Sequence, residues 1–311
     1  MKKLSRIEII RKRIALCMIM IFSISLFLAG CSGEKSETTW EKHREITANY
    51  LLENRQNINL SSPGSEWPLI ALIQSGNLSD KTIYKDYYQE LCSITEQRNG
   101  VLDEEYPTTY ARTAITLSLI GKNPEDVVGY NLMTPIDDAE KVMAQGINSA
   151  IYALIASNYC GVKLKNEELY LNAIINSLYS SGDLENDPFV VDYYGMALQA
   201  LTYYKYNPKA EEAIEYLYER IKAIGADEGY PSCESTAQVI MGLSAIGKDA
   251  TKENFLKDKK TPVDVLMEFA TEEGFKHDLN GQTDIMASEQ ALRALNSIAY
   301  AKDGKLLFEK R

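Results

Sequence analysis

Histidine is nearly missing from this chain: His43 and His277 are the only two in 311 residues. So little imidazole leaves few ways to build a metal centre. Cysteine is scarce as well, and beyond Cys17 and Cys31 the remaining Cys92, Cys160 and Cys233 are odd in number and far apart. No disulfide framework or zinc knuckle follows from that spacing. No stretch is rich in strand formers, so a β-domain is not expected. Positive charge is in deficit, with 33 Lys and Arg against 44 Asp and Glu. Six of those cations and one acid fall within residues 1–30, so the net charge of −11 becomes −16 for the rest. Nucleic acid and bare anionic lipid are poor partners for such a surface. Only one long apolar run exists, Ile14 to Leu28, and it is short for a membrane span.

The same N-terminal stretch is informative for what it does contain. Lys2, Lys3, Arg6, Arg11, Lys12 and Arg13 precede the apolar run, and Leu28-Ala29-Gly30-Cys31 follows it. This layout reads as a secretion signal over residues 1–30. Leu28 to Cys31 resembles the lipobox of bacterial lipoproteins at every position, which implies cleavage before Cys31 and a diacylglyceryl group on its thiol. The expected location is extracytoplasmic, with the lipid holding the protein on a membrane without spanning it. Residues 31–40, small and polar over SGEKSETT, are expected to form a flexible tether, leaving residues 41–311 as the folded domain.

Within that domain the sequence repeats itself. TYARTAITLSLIGKNP (109–124) and STAQVIMGLSAIGKDA (235–250) align without gaps around Leu117 and Leu243, each ending in a Gly-Lys helix stop. A small residue followed by leucine recurs at Leu72, Leu117, Leu154, Leu201, Leu243 and Leu295, at intervals of 45, 37, 47, 42 and 52 residues. Units of this length hold two helices each. The first helix of a unit is apolar with Ala and Gly at contact positions. The second is more polar and starts at a capped proline, as in Thr134-Pro135, Asn207-Pro208 and Thr261-Pro262, with Ser79 opening another. The expected fold is all-α: an α/α toroid of six helical hairpins, a twelve-helix double-layered barrel. A helix over residues 41–53 is expected to close it beside the last inner helix, near 287–301. An open helical solenoid is the competing arrangement.

The segments Glu234-Ser235-Thr236-Ala237-Gln238 with VIMGLSAIGKD, Gly274-Phe275 with Ala287 to Leu292, and GKNPEDVVGYNL (121–132) resemble the prenyltransferase and squalene-cyclase repeat of bacterial surface proteins. The resemblance covers most of 67–301. It implies the toroid shared by terpenoid cyclases, protein prenyltransferase β-subunits, complement thioester domains and the helical domain of transcobalamin. Their chemistries do not carry over. The Asp-x-Asp-Asp acid cluster of cyclases is absent, and Asp137-Asp138 is only a pair. A prenyltransferase zinc site would have to come from His277, Cys233 and Asp284, and is not expected. Thioester domains join Cys to a Gln three positions on, whereas Cys233 and Gln238 are five apart. The small β-domain with which transcobalamin clamps its corrinoid has no counterpart.

The loops entering the inner helices are expected to line one mouth, where helix N-termini carry partial positive charge. They supply Trp67, Tyr106, Tyr110, Tyr193, Tyr194, Tyr230 and Phe275, with Glu66, Asp187, Asp192, Glu234, His277, Asp284 and Glu289. Aromatic faces with a few fixed polar groups suit a sugar ring or a flat macrocycle. Five places before each anchor leucine stand Trp67, Arg112, Ser149, Met196, Gln238 and Gln290, about 140° around the helix from the anchor, so Arg112, Gln238 and Gln290 are expected to face the lumen. The expected function is binding of a small molecule, a glycan or a surface partner without catalysis, with no cofactor specified. A glycan-degrading enzyme drawing an acid pair from the mouth carboxylates is the alternative, and an envelope scaffold using the outer helices is a further one.

Overall fold

The structure is a computed structural model that describes residues 39–54, 66–78, 80–179, 187 and 189–309. The expected signal segment, Cys31, residues 32–38 of the tether and Ser79 lie outside the described residues. The helical unit spans Trp40–Arg311.

Every regular element among the described residues is helical, and apart from isolated bridges no strand forms. Twelve α-helices follow one another: α1 Thr39–Glu53, α2 Glu66–Ser75, α3 Thr82–Gln97, α4 Pro107–Leu119, α5 Ala139–Ala144, α6 Ile147–Cys160, α7 Glu167–Tyr179, α8 Val190–Leu201, α9 Pro208–Asp227, α10 Cys233–Ala245, α11 Pro262–Glu268 and α12 Ile285–Lys302. None is long and apolar enough to cross a membrane.

Two kinds of helix alternate. Helix α10 buries every residue from Cys233 to Ser244, so it must be surrounded by protein. Helix α9 buries only Ala210, Ala213, Leu217, Tyr218, Ile221 and Gly225, one stripe of an otherwise wet surface. The six anchor leucines all lie in helices of the first kind and are fully buried. These helices pack as neighbours in chain order: α2 on α4, α4 on α6, α6 on α8, α8 on α10 and α10 on α12. Helix α12 in turn packs on α2. They run parallel, as bonds between like ends show. At the N-terminal ends Thr108 N donates to Gln145 Oε1 just before α6, and the Cys233 thiol lies 3.8 Å from Ala287 O. At the C-terminal ends Ser118 meets Cys160, Thr202 Oγ1 donates to Ala245 O, Ser297 meets Ser244, and Tyr300 donates to Gln74 O.

Close approach needs small residues. A Cβ on Gly195 of α8 would stand 2.3 Å from the Gln238 carbonyl oxygen, so no larger residue fits without moving a backbone. The two aligned Gly-Lys stops behave alike. Gly121 and Gly247 take left-handed φ of 73° and 75°, and Lys122 N and Lys248 N close back onto Leu117 O and Leu243 O.

Helix α1 seals the terminal junction. Arg44 Nε donates to Asn296 Oδ1 at 2.7 Å and its Nη2 to Ser75 O at 2.7 Å, while Lys302 pairs with Glu41 at 2.9 Å. Trp40, expected in the tether, belongs to this helix: its ring is buried beneath the Lys302 ammonium. At the C-terminal ends of the buried helices the chain tucks in its own tail. Gln74 donates to Leu307 O, Tyr203 donates to Phe308 O, and the Phe308 ring stands edge-on to Tyr159.

Capping follows the sequence at two of the three prolines. Asn207 accepts from Lys209 N, and Thr261 forms a reciprocal capping box with Asp264. Thr134-Pro135 instead starts a 3-10 turn, Thr134–Asp137, without a side-chain cap. The α-helix begins after Asp138, whose carboxylate accepts from Lys141 N, because Asp137 is diverted to Lys165 N and Asn166 N across the next loop.

Candidate functional site

Sorting the expected mouth residues by what already satisfies them separates structure from opportunity. Tyr110 is a staple: its hydroxyl accepts from Leu102 N and Asp103 N and donates to Asp103 O, which uses all its hydrogen-bonding capacity. Tyr230 is buried and donates to Ile221 O, and Tyr194 and Phe275 are buried in the core. These four are corrections to the expectation that aromatics of these loops face a ligand; their rings fill the gaps between helices.

The column five places before the anchor leucines is occupied from within. Arg112 Nε donates to Glu66 Oε2 at 2.6 Å, and Thr113 donates to Glu66 Oε1 at 3.0 Å. Arg293 clasps Glu289 through Nε and Nη2 at 2.7 and 3.2 Å, and its guanidinium covers the Trp67 ring, which also packs against Tyr152. Burial raises the Glu289 carboxyl pKa, and the Arg293 charge partly offsets that rise. Arg112, Glu289 and Trp67 are thereby committed to internal partners. Gln199 donates to Gln238 Oε1, and Gln238 donates to Gln290 Oε1 at 2.9 Å, so this part of the column forms a chain of amides across α8, α10 and α12. Arg293, Tyr152 and Gln199 were missed from sequence. The one available signal was the Glu289–Arg293 spacing of four residues, an ion-pair register on a helix.

What remains open lies at the N-terminal ends of α8, α10 and α12. The hairpin-like loop between α11 and α12 folds over α10: Ala270 bridges Phe275, Lys276 bridges Thr283, and Cys233 N donates to His277 O. His277 Nδ1 comes to 2.8 Å from Glu234 Oε2, with the imidazole 57% exposed and the Glu234 side chain only 8% exposed. The other carboxylate oxygen of Glu234, Oε1, is buried without a hydrogen-bond partner, and so is Asp192 Oδ1. The Asp192 carboxyl is pushed up to about 6, first by burial and then by the charges of Glu234 and Asp187, against a lowering bond from Ser235. The half-buried Tyr193 phenol is raised by burial and by the charges of Asp187 and Asp192. Burial, with the charges of Glu234, Asp284 and Glu289, pushes the Cys233 thiol well above the usual range, so it is a core thiol and not a nucleophile. Asp284 caps α12 by accepting from Ala287 N at 2.8 Å. Among the described residues no three His, Cys, Asp or Glu side chains converge as metal ligands.

This arrangement can accept hydrogen bonds and compensate positive charge, because its unsatisfied atoms are carboxylate oxygens. No protein-family model, curated protein or solved structure matches the chain.

Proposed function

We propose that this chain is a membrane-anchored, extracytoplasmic lipoprotein, tethered through lipid on Cys31, whose helices form an α/α toroid related to the prenyltransferase and squalene-cyclase repeat. Its mouth, at the N-terminal ends of the inner helices, binds a small molecule, a glycan or a surface partner without catalysis. The neighbour order of α2, α4, α6, α8, α10 and α12, returning to α2, supports a closed ring over an open solenoid, as does α1 lying against α12. In a solenoid the first and last units have no reason to meet.

The observation that carries the binding reading is Glu234: an almost fully buried carboxylate with one oxygen on an exposed His277 and the other without a partner. A buried carboxylate oxygen left unpaired costs stability unless something supplies a donor. Glu66 and Glu289, by contrast, each hold an arginine, whereas neither Glu234 nor Asp192 has one among the described residues. Calorimetric titration of the full chain with corrinoids, oligosaccharides, isoprenoids and amines tests the reading. A ligand whose affinity drops at least tenfold in Glu234→Gln supports it, and ligands that bind the variant unchanged count against this mouth.

One observation favours the enzymatic alternative. Asp192, titrating at about 6 beside Glu234, has the make-up of a general acid with a second carboxylate. Hydrolysis or elimination of an oligosaccharide, lost by several hundredfold in Asp192→Asn, would move the assignment to a glycan-degrading enzyme. Absence of turnover across such substrates leaves the binding role.

A further inference from the structure

We infer that the group recognised at this mouth is an organic cation, a primary ammonium or guanidinium carried next to apolar carbon. The inference deepens the proposed binding role and rests on it.

Three observations carry it. First, at Glu234 and Asp192 the unsatisfied atoms are acceptors, Glu234 Oε1 and Asp192 Oδ1, both buried and both lacking a donor. A neutral sugar brings acceptors as well as donors and relieves none of the repulsion between two carboxylates, whereas a cation satisfies both oxygens with charge-assisted bonds. Second, no lysine or arginine among the described residues pairs with either acid. The one basic side chain paired with Glu234 among the described residues is His277, whose ring is 57% exposed. The interior pairs Glu66 with Arg112 and Glu289 with Arg293 show how this fold neutralises a buried acid when the chain itself supplies the cation. Neither Glu234 nor Asp192 has such a lysine or arginine partner among the described residues. Third, the rim is apolar where the well is acidic. Phe189 precedes the helix that carries Asp192, Leu279 follows His277 by two residues, and Met286 opens the helix beside Glu234's, and each of the three is more than half exposed. A single exposed apolar residue needs no explanation, but three at the entrances to α8 and α12, the two helices that flank α10, offer contact for the carbon next to a charge.

The same chemistry can arrive as a free amine or as a lysine or arginine of a peptide, and the test separates these sources. The full chain in detergent is titrated with phenethylammonium, with its neutral isostere 2-phenylethanol, with spermidine, with an acetylated Phe-Lys-Phe peptide and with a neutral oligosaccharide. The expected result is at least tenfold tighter binding of phenethylammonium than of 2-phenylethanol, weakened severalfold by raising salt from 0.05 to 0.5 M and at least tenfold by Glu234→Gln. Asp192→Asn gives a second variant should the first fold poorly, and it is expected to weaken ammonium binding in the same direction. Tighter binding of the peptide than of either free amine assigns a chain-borne cation, and the reverse assigns a small amine. Equal affinity for the amine and the alcohol overturns the inference, as does amine binding that survives both substitutions. Binding of the oligosaccharide alone, lost in Glu234→Gln, also overturns it while leaving the mouth as the binding site. Failure of every probe overturns this inference and the mouth reading together.

Discussion

Replacing Asp192 with asparagine should make the protein more stable above neutral pH while impairing the mouth. In the folded chain the Asp192 carboxyl titrates at about 6, against an ordinary 3.8, chiefly because burial strips water from it and Glu234 and Asp187 add like charge. An acid whose pKa is higher folded than unfolded binds protons better when folded. Its contribution is therefore most favourable below pH 3.8 and is lost as pH rises through about 6. That gap corresponds to about 3 kcal/mol of penalty fully present at pH 7.5, an upper figure because the side chain keeps some solvent. Asparagine keeps an acceptor for Ser235 and removes the charge. Urea denaturation of parent and variant at half-unit steps from pH 4 to 8 isolates the residue: the variant should gain about 2 to 3 kcal/mol at pH 7.5, falling to about 0.5 kcal/mol at pH 4. A variant that is no more stable at pH 7.5, or whose stability runs parallel to the parent's across the range, refutes the reasoning.

Other substitutions probe other parts of the account. Gly195→Ala drives a methyl into the Gln238 carbonyl and should cost about 3 kcal/mol in urea denaturation; a loss under 0.5 kcal/mol would show that α8 and α10 can part at no expense. Arg293→Met strands the buried Glu289 carboxylate and uncovers Trp67, so stability at pH 7 should fall by about 3 to 5 kcal/mol, with part of the loss recovered on acidification as Glu289 takes a proton. An undiminished urea midpoint would remove the ion pair from the account. Cys31→Ala should release the protein from the membrane fraction and abolish the electrophoretic shift seen when lipoprotein processing is blocked, whereas unchanged fractionation would rule out the lipid anchor.

The helical architecture was largely legible because it is written locally. The small-residue–leucine step found the inner helices, since a helix with protein on several sides needs a leucine in its core and Ala or Gly where a neighbour passes, as at Gly195 and Gly242. The Gly-Lys stops and the Asn207 and Thr261 caps are decided within four residues, and they came out as read. The site was legible only in part because satisfaction is not local. Arg112 meets Glu66 from 46 residues away, Gln238 meets Gln290 from 52 away, and nothing near Tyr110 in the repeat pattern distinguishes a ring that faces a ligand from one that staples its own loop. Thr134 misled for a related reason: its cap role depends on where Asp137 goes, and Asp137 is claimed by the backbone at residues 165 and 166. Glu234 and His277 were both named from sequence, yet their pairing comes from a loop folding back across 43 residues.

Ligands are expected at the N-terminal ends of α8, α10 and α12, around Glu234, and not at the opposite ends where Leu307 and Phe308 are tucked in. Nitrogen-detected NMR of the two histidine rings and the backbone amides, recorded while phenethylammonium is titrated into the full chain, reads this directly. The account predicts saturable shifts of the His277 ring and of the amides at residues 189–193 and 232–236, absent in Glu234→Gln, with Ser244, Ala245 and Ser297 unmoved. Shifts confined to those last three residues, or a His277 ring that stays still while ligand binds elsewhere, would contradict it.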